Sequence, residues 1–168
     1  MNKFLSDIRQ KRQILADEGY QVSMLRTLLS DGSSANALYR ATYWLVSHYL
    51  SPLAIITLWL NRVINGCVIG ANAKFEQGFV IMHPVGVVIN SKVVGGQNIV
   101  VESGVVIGDE KGQAPVLGSN IFIGAGAKVI GGITIGDNVK VGANAVVVKN
   151  VPSNVTVVGI PAKVVNRG

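Results

Sequence analysis

A six-residue period that begins at Ile69 constrains the fold of this chain more than any other feature. Every sixth residue from Ile69 to Val147 is large and apolar at thirteen of fourteen positions. An ordinary twisted sheet alternates with a period of two, which does not produce this longer register. A fixed period of six residues is typical of a parallel β-helix, in which each unit supplies one short strand and one turn. The sequence therefore predicts a mainly β fold whose repeating apolar residue points inward.

Glycine and asparagine are expected at the corners of this β-helix. Three units complete one triangular coil, so each inward residue should stack on the residue eighteen positions later. Turns that need a positive φ favour glycine and then asparagine. The asparagines predicted at corners are Asn72, Asn98, Asn120, Asn138 and Asn144. The composition suits a narrow interior, because hydrophobic residues make up 49% of the chain and aromatic residues only 6%.

The chain changes character near Gly66. Residues 1–65 contain both tryptophans and all four tyrosines, and they lack regularly repeated glycine. Loosely spaced apolar residues in this part favour helices rather than strands. We therefore predict an N-terminal helical region at 1–65, followed by a β-helix domain with a C-terminal tail at 66–168.

The second half of the helical region is strongly apolar. We expect Ser34 to cap a helix that begins near Ala35, Pro52 to end or kink it, and a second helix to run through 53–63. Residues 41–60 approach the roughly 20 apolar residues that a membrane span needs. Polar residues interrupt that stretch, so we expect it to pack on the protein and on neighbouring subunits. Membrane contact is the less favoured alternative.

Cysteine, histidine and charge bound the chemistry. The one cysteine, Cys67, cannot form an intrachain disulfide, and two histidines cannot supply a three-histidine zinc site. Mixed ligand sets stay formally open, but no metal is expected. A net charge of +6 and a pI of about 9.7 favour anionic partners. Nucleic acid is not expected, because the few aromatic residues lie mostly outside the repeat. The N-terminus lacks an apolar signal, which favours a cytoplasmic protein, with the inner face of the membrane as an alternative.

Lys111 is the one exception to the repeat. It lies within the polar segment 109–116, which contains Gly112 and Pro115, and the register returns at Leu117. We predict that this segment is a loop extruded from one corner. Repeat proteins often carry insertions on the binding face, and a merely tolerated surface loop is the alternative.

Three segments resemble the serine acetyltransferase group of hexapeptide acyltransferases. They are FVIMHPVGVVI at 79–89, IGAGAKVIG at 123–131 and VVGIPAKVV at 157–165. The resemblance covers about residues 60–166 and is weaker in the preceding helices. It implies a left-handed parallel β-helix, a trimeric assembly, and acetyl-CoA as the acyl-donor substrate.

The resemblance also implies a catalytic base. In that family the base is a histidine two residues before a small residue and three before a glycine, a pattern that falls here on His83, Val85 and Gly86. A hydroxyl is a poor nucleophile, and an imidazole can take its proton as it attacks a thioester. The oxyanion that forms needs N–H donors, for which the resemblance implies the backbone near Gly108.

The family binds CoA in a groove between adjacent β-helices. The resemblance implies that pantetheine meets small residues of successive coils, here Ala125 and Ala143, where its amides approach the backbone closely. The basic residues that the resemblance brings near the phosphates are Lys140, Lys149, Lys163 and Arg167.

This sequence departs from serine acetyltransferases around their base and their acceptor. Met82 replaces an aspartate that precedes the base, and Val68 replaces an aspartate that pairs with the base. Gln113 and Ala114 replace an Arg-His pair, before a proline, that contacts serine. An amino-acid acceptor needs charged partners for its carboxylate and its ammonium group. Our leading hypothesis is therefore an acetyl-CoA-dependent O-acetyltransferase acting on a hydroxyl of a saccharide or another small acceptor, similar to the polysaccharide O-acetyltransferase branch. Serine O-acetyltransferase is the alternative, and a non-catalytic β-helix scaffold is an alternative of another class.

One feature of the predicted site depends on the tertiary structure. Glu102, nineteen residues after His83 and about one coil away, is our candidate for its acidic partner, with Glu76 as a second candidate.

We also expect a homotrimer, or a dimer of trimers. A monomer would expose the apolar residues 41–60, which soluble monomers avoid.

Overall fold

A computed structural model describes residues 3–165, which form an α-helical region followed by short strands. The four helices of this part of the chain are α1 (Lys3–Asp17), α2 (Met24–Leu28), α3 (Ser33–Ser47) and α4 (Ser51–Asn65). The strands are β1 (Val68–Ile69), β2 (Lys74–Phe75), β3 (Val80–Ile81), β4 (Val88–Ile89), β5 (Val94–Gly95), β6 (Ile99–Val101), β7 (Val106–Gly108), β8 (Val116–Leu117), β9 (Ile121–Ile123), β10 (Lys128–Ile130), β11 (Thr134–Ile135), β12 (Lys140–Val141), β13 (Val146–Val147), β14 (Thr156–Val158) and β15 (Lys163–Val165).

The strands form three sheets, one for each face of a triangular prism. Sheet A has the order β1-β4-β7-β10-β13, sheet B the order β2-β5-β8-β11, and sheet C the order β3-β6-β9-β12-β14-β15. Neighbouring strands are parallel, except that β15 returns antiparallel to β14. Every third strand therefore joins the same sheet until β14, and the predicted parallel β-helix is confirmed.

The apolar residues of the six-residue period are buried, as predicted. All thirteen are between 0% and 3% exposed, and Lys111 is exposed. Their stacking differs from the expected eighteen residues, because Ile81 pairs with Val101, which pairs with Ile123. These steps are twenty and twenty-two residues. The inward-pointing position therefore shifts by two residues after Ile81. Four more residues in the 109–116 loop bring the total shift to six, which is one whole unit, so the original period fits again from Leu117.

This shift changes which buried residue lies on a strand. Between 87 and 105 the residues of the original phase lie two positions before the inward strand residue, so that Ile89 and Ile107 fill the positions expected for Val87 and Val105. Both sets are buried because this interior holds two apolar residues in each unit. The shift is therefore not visible in the sequence, because the original and the shifted positions are both apolar.

Asparagine side chains form a ladder along one edge. Asn98, Asn120 and Asn138 have positive φ, as predicted, and each side-chain amide donates to the next asparagine below, ending at Asn154. Asn144 also has positive φ. Asn72 lies at a corner as predicted, in the turn between β1 and β2, but without positive φ.

Helix α3 covers the first coil of the β-helix. Tyr39 is buried in the main core, with edge-to-face ring contacts to Phe75 and Phe79, whose own rings stack on each other at 4.0 Å. Its hydroxyl donates to the carbonyl of Ala73 at 2.9 Å and accepts from the Phe75 N–H. Burial raises the pKa of Tyr39 to about 12. The helical region and the β-helix thus share a core, and their division into two domains stays a prediction.

The ends of α3 and α4 differ from the expected ones. Gly32, with a φ of 77°, precedes α3 at the N-cap position, and the Ser34 hydroxyl donates instead to Asn65 at 2.6 Å. Pro52 lies in the first turn of α4 rather than at the end of α3, a position that proline tolerates because the N–H there has no helical partner.

Helix α4 has its polar side facing the protein. Thr57 shares a hydrogen bond with Thr42 of α3, and Asn61 is buried. Its exposed apolar residues are Leu53, Ile55, Ile56, Trp59, Val63 and Ile64. In the described part of the chain, no helix is both long and apolar enough to cross a membrane.

Candidate active site

His83 lies in the corner where sheet C meets sheet A. The corner between β3 and β4 has six residues, 82–87, whereas the corresponding corners of the next two coils have four each, 102–105 and 124–127. The glycines at 86, 104 and 126 stack on one another, so the two additional residues are His83 and Pro84. These two inserted residues cause the two-residue shift in the repeat. The side chain of His83 is 60% exposed at this corner.

Asp31 is the acidic partner of His83. It comes from the turn between α2 and α3, and its Oδ2 lies 2.9 Å from His83 Nδ1. An aspartate that accepts from Nδ1–H leaves Nε2 as the basic nitrogen of a neutral imidazole. Within residues 3–165, Nε2 makes no hydrogen bond. The pair thus has the arrangement of a general base with an orienting carboxylate.

The turn that carries Asp31 lies directly against β3. Gly32 follows Asp31 with positive φ, and a Cβ at this position would overlap the carbonyl oxygen of Ile81. Asn36, in the first turn of α3, accepts from the Ile81 N–H at 3.0 Å and donates to the carbonyl of Phe79. These contacts bring the turn beside the strand that leads into His83.

Glu102, the candidate partner from the sequence, lies close to His83 without a hydrogen bond to it. It begins the corner of the coil below, because its N–H donates to Ile123 as that of Met82 donates to Val101. Burial raises the pKa of Glu102, and Glu18 raises it further, while His83 and Lys11 lower it. Glu102 is therefore an electrostatic neighbour of His83 rather than its hydrogen-bond partner, and its part in the reaction stays a prediction.

Glu76, the second candidate, lies elsewhere. Its carboxylate pairs with Lys3 Nζ at 2.9 Å, near the start of α1. The other histidine, His48, ends α3, where Nδ1 contacts the carbonyl of Trp44 at 2.8 Å and the ring lies against the Trp44 ring. His48 is exposed, and the contacts described for it lie at the end of its own helix.

Small residues continue the His83 corner along the prism. Ser103, Ala125 and Ala143 follow one another in successive coils, since the N–H after each donates into the coil before it. Ala125 is partly exposed and Ala143 exposed. The structure thus brings both predicted alanines to the same edge as His83.

The predicted basic residues divide between two places. Lys140 lies on sheet C, which adjoins this edge, and it lines a cavity of about 290 Å³ on the side of the asparagine ladder, together with Asn138, Asn154 and Thr156. Lys163 lies on β15, at the end of the same sheet. Arg167 lies outside the described residues.

Gly108 and Lys149 are not next to His83 in this chain. Gly108 is the last residue of β7 and Lys149 follows β13. Both therefore lie where the strands of sheet A end, on the opposite side of the sheet from the His83 corner. The loop 109–116 extends from that far edge, where Lys92 Nζ donates to the Gly112 carbonyl at 2.8 Å. Across residues 3–165 no three His, Cys, Asp or Glu side chains are arranged to hold a metal ion.

Sequence reasoning missed Asp31 because its partner is 52 residues away and on another type of element. One signal was present for His83 itself. The spacing of inward residues grows by two residues at His83-Pro84, and a strand-by-strand alignment of the coils would have located the bulge.

We expect Asp31→Asn to lower kcat for acetyl transfer by about 10-fold to 100-fold. The amide of the variant can donate to Nδ1 and so stabilise the Nε2–H tautomer of His83, in which Nε2 cannot act as a base. The effect should be below that in a buried triad, since both side chains are 60% exposed. Steady-state kinetics would measure it. Asp109→Asn is the matched control, because Asp109 accepts from Asn90 at the far edge. Equal losses in both variants would contradict the role of Asp31.

Comparison with known proteins identifies the family. The family described as "Bacterial transferase hexapeptide (six repeats)" matches residues 114–149. Serine acetyltransferase of Synechococcus elongatus is 39% identical over 140 residues, 81% of this chain and 57% of that protein. Serine acetyltransferase of Helicobacter pylori (strain ATCC 700392 / 26695) is 39% identical over 137 residues, 79% of this chain and 76% of that protein.

Solved structures of serine acetyltransferases are also similar to this chain. Serine acetyltransferase of Neisseria gonorrhoeae has a TM-score of 0.90 at 31% identity, over 98% of this chain and 65% of that one. A serine acetyltransferase in complex with CoA has a TM-score of 0.89 at 29% identity, over 97% of this chain and 68% of that one. The match confirms the left-handed parallel β-helix with preceding helices. The chain spans a little over half the length of the Synechococcus relative. With the identity and coverage of the Helicobacter protein, these likenesses show that the chain belongs to the serine acetyltransferase family of hexapeptide acyltransferases.

Proposed function

We propose that this chain is an acetyl-CoA-dependent O-acetyltransferase and that its acceptor is the hydroxyl of serine. The observation that carries the proposal is the hydrogen-bonded pair of His83 and Asp31 on an exposed corner. Ser103, Ala125 and Ala143 follow this corner along the same edge and form a track of small residues. The names of the relatives support serine, which was the alternative to our leading saccharide hypothesis.

In the proposed reaction His83 Nε2 takes the proton of the acceptor hydroxyl as its oxygen attacks the thioester carbonyl. Asp31 accepts from Nδ1–H and stabilises the imidazolium that forms, as carboxylates do in histidine-based acyl transfer. Collapse of the tetrahedral intermediate releases the CoA thiolate, to which the imidazolium returns the proton. The products are an O-acetyl ester and CoA.

The small residues along the His83 edge suit the acyl donor. Ala125 and Ala143 leave the backbone of two successive coils accessible at that edge, where pantetheine amides could approach. Lys140 lies on the adjoining sheet and supplies a cation for a phosphate group. The complex of a structural neighbour with CoA supports this assignment.

A saccharide hydroxyl is the second candidate acceptor. The motivating observation is that Gln113 and Ala114 occupy the positions where the family has its serine contacts. Gln113 is bridged to Glu110 within the loop, and neither Gln113 nor Ala114 offers a cation to a carboxylate.

A thiol-release assay with acetyl-CoA tests the proposal. We expect saturable CoA release with serine and a weaker response with simple sugars and sugar nucleotides. Release with sugars and none with serine would support the second candidate. Absence of acetyl-CoA binding by calorimetry would contradict both and favour the non-catalytic scaffold.

The proposed active protein is a trimer. Gly108 and Lys149 lie across sheet A from His83, so a donor site that uses them together with His83 must lie between two subunits. The exposed apolar side of α4 gives a second reason for association. We expect light scattering to give three times the 17.7 kDa chain mass, or six times for a dimer of trimers. A mass of one chain at micromolar concentration would contradict this assembly.

A further inference from the structure

Lys11 is a buried cation beside the candidate site, and the proposed reaction does not use it. It lies on α1 and is only 4% exposed. Its Nζ donates to the carbonyl oxygen of Asp31 in a short hydrogen bond and to that of Ile81 at 3.4 Å. These two carbonyls belong to the two segments that supply the site, because Ile81 precedes His83 by two residues. One ammonium group thus joins the turn of Asp31 to the strand of His83.

We propose that Lys11 is a positioning residue that holds the Asp31 carboxylate against His83 Nδ1. This role rests on the proposed function of His83 as the base. Asp31 lies in a short turn between α2 and α3, and its side chain is 60% exposed, so little else orients its carboxylate from the solvent side. Lys11 holds the backbone of that turn from the buried side, while Gly32 allows the close approach to Ile81.

The charged groups around Lys11 fit this role. Asp31 faces it from the turn before α3 and Glu102 from the end of β6, and both favour its charged form. Glu18, after α1, and His83 are in turn electrostatic neighbours of Glu102. Burial lowers the pKa of Lys11 to about 8 despite these carboxylates, so at neutral pH the ammonium form predominates. A charged donor makes stronger hydrogen bonds to carbonyl oxygens than a neutral one.

Lys3 offers a matched control on the same helix. Its Nζ also donates to a backbone carbonyl, that of Phe75 at 3.4 Å, and also pairs with a carboxylate, that of Glu76. These partners are away from His83. Lys3→Met and Lys11→Met therefore remove the same charge and the same kind of contact, but only Lys11→Met removes it beside the site.

The test reads the tautomer of His83 without any substrate. Protein labelled with ¹⁵N-histidine contains only two such rings, and at about pH 7.5 an ordinary imidazole is mostly neutral while the ammonium form of Lys11 still predominates. We expect the ¹⁵N shifts of wild type and Lys3→Met to show His83 protonated at Nδ1, and those of Lys11→Met to move toward the Nε2–H tautomer. In the acetyl-transfer assay kcat of Lys11→Met should fall about 10-fold to 100-fold with little change in KM for acetyl-CoA.

Lys11→Arg keeps the charge and the donors, and should keep the Nδ1–H signature with kcat within about threefold of wild type. An unchanged His83 tautomer in folded Lys11→Met would overturn the proposal. If Lys11→Met does not fold, loss of the signature in a folded Lys11→Arg would overturn it equally. Loss of the signature in Lys11→Met, together with absent acetyl transfer in wild type, would refute the proposed function and leave the positioning role intact.

Discussion

His83→Ala should lower kcat/KM for acetyl transfer by about 100-fold to 10,000-fold, the usual contribution of a general acid or base. The variant has no imidazole to take the proton of the acceptor hydroxyl, while the track of small residues that suits the donor is unchanged. Binding of acetyl-CoA, measured by calorimetry, should therefore stay within a few-fold of wild type. The thiol-release assay gives the rate for both proteins.

The chain supplies its own control for this experiment. His48→Ala removes the other histidine, which contacts Ser47 and Trp44 at the end of α3. We expect its rate to match that of wild type. A His83→Ala protein that keeps full activity, or an equal loss in both variants, would eliminate His83 as the base.

Asp7→Ala should lower the free energy of unfolding by about 3–5 kcal/mol, the cost of removing one partner from a buried ion pair. Asp7 is 1% exposed and accepts from Arg40 Nε at 2.8 Å and from the N–H groups of Gly78 and Phe79. Without it, the largely buried Arg40 guanidinium keeps the carbonyls of Phe75 and Glu76 and the face of the Tyr39 ring as partners, none of which carries a negative charge. Urea unfolding at a fixed protein concentration would measure the loss.

Asp17→Ala on the same helix is the matched control. Asp17 is exposed and accepts from Gln13 Nε2 at 2.8 Å, so its loss should change the free energy of unfolding by less than about 0.5 kcal/mol. Similar stabilities for the two variants would show that α1 does not anchor the first coil through Asp7.

The β-helix could be predicted because its determinants are local and repeated. Each unit of the period places apolar residues at fixed positions, and the narrow prism has no room for anything else there. Lys111 marked the extruded loop for the same reason. The shift at His83-Pro84 was hidden because the corner position before each strand is also apolar, as Val87 and Val105 show.

The helical region was predicted less completely. Its helices were expected, but the capping of α3 was assigned to Ser34, which instead bonds Asn65, 31 residues away. The polar inner side of α4 also follows from long-range contacts, among them the hydrogen bond between Thr42 and Thr57. Propensity and period describe single elements and do not specify which side of a helix another element will cover.

The site shows the same division between sequence and tertiary structure. The sequence by itself determined the repeat, the one histidine within it, the extruded loop and the small residues at the corners, because these are properties of neighbouring positions in a regular fold. Only the tertiary structure decided that Asp31 rather than Glu102 is hydrogen-bonded to His83, and that Gly108 lies across sheet A. Those facts depend on where the helices pack against the first coils, and packing joins residues that no local pattern relates.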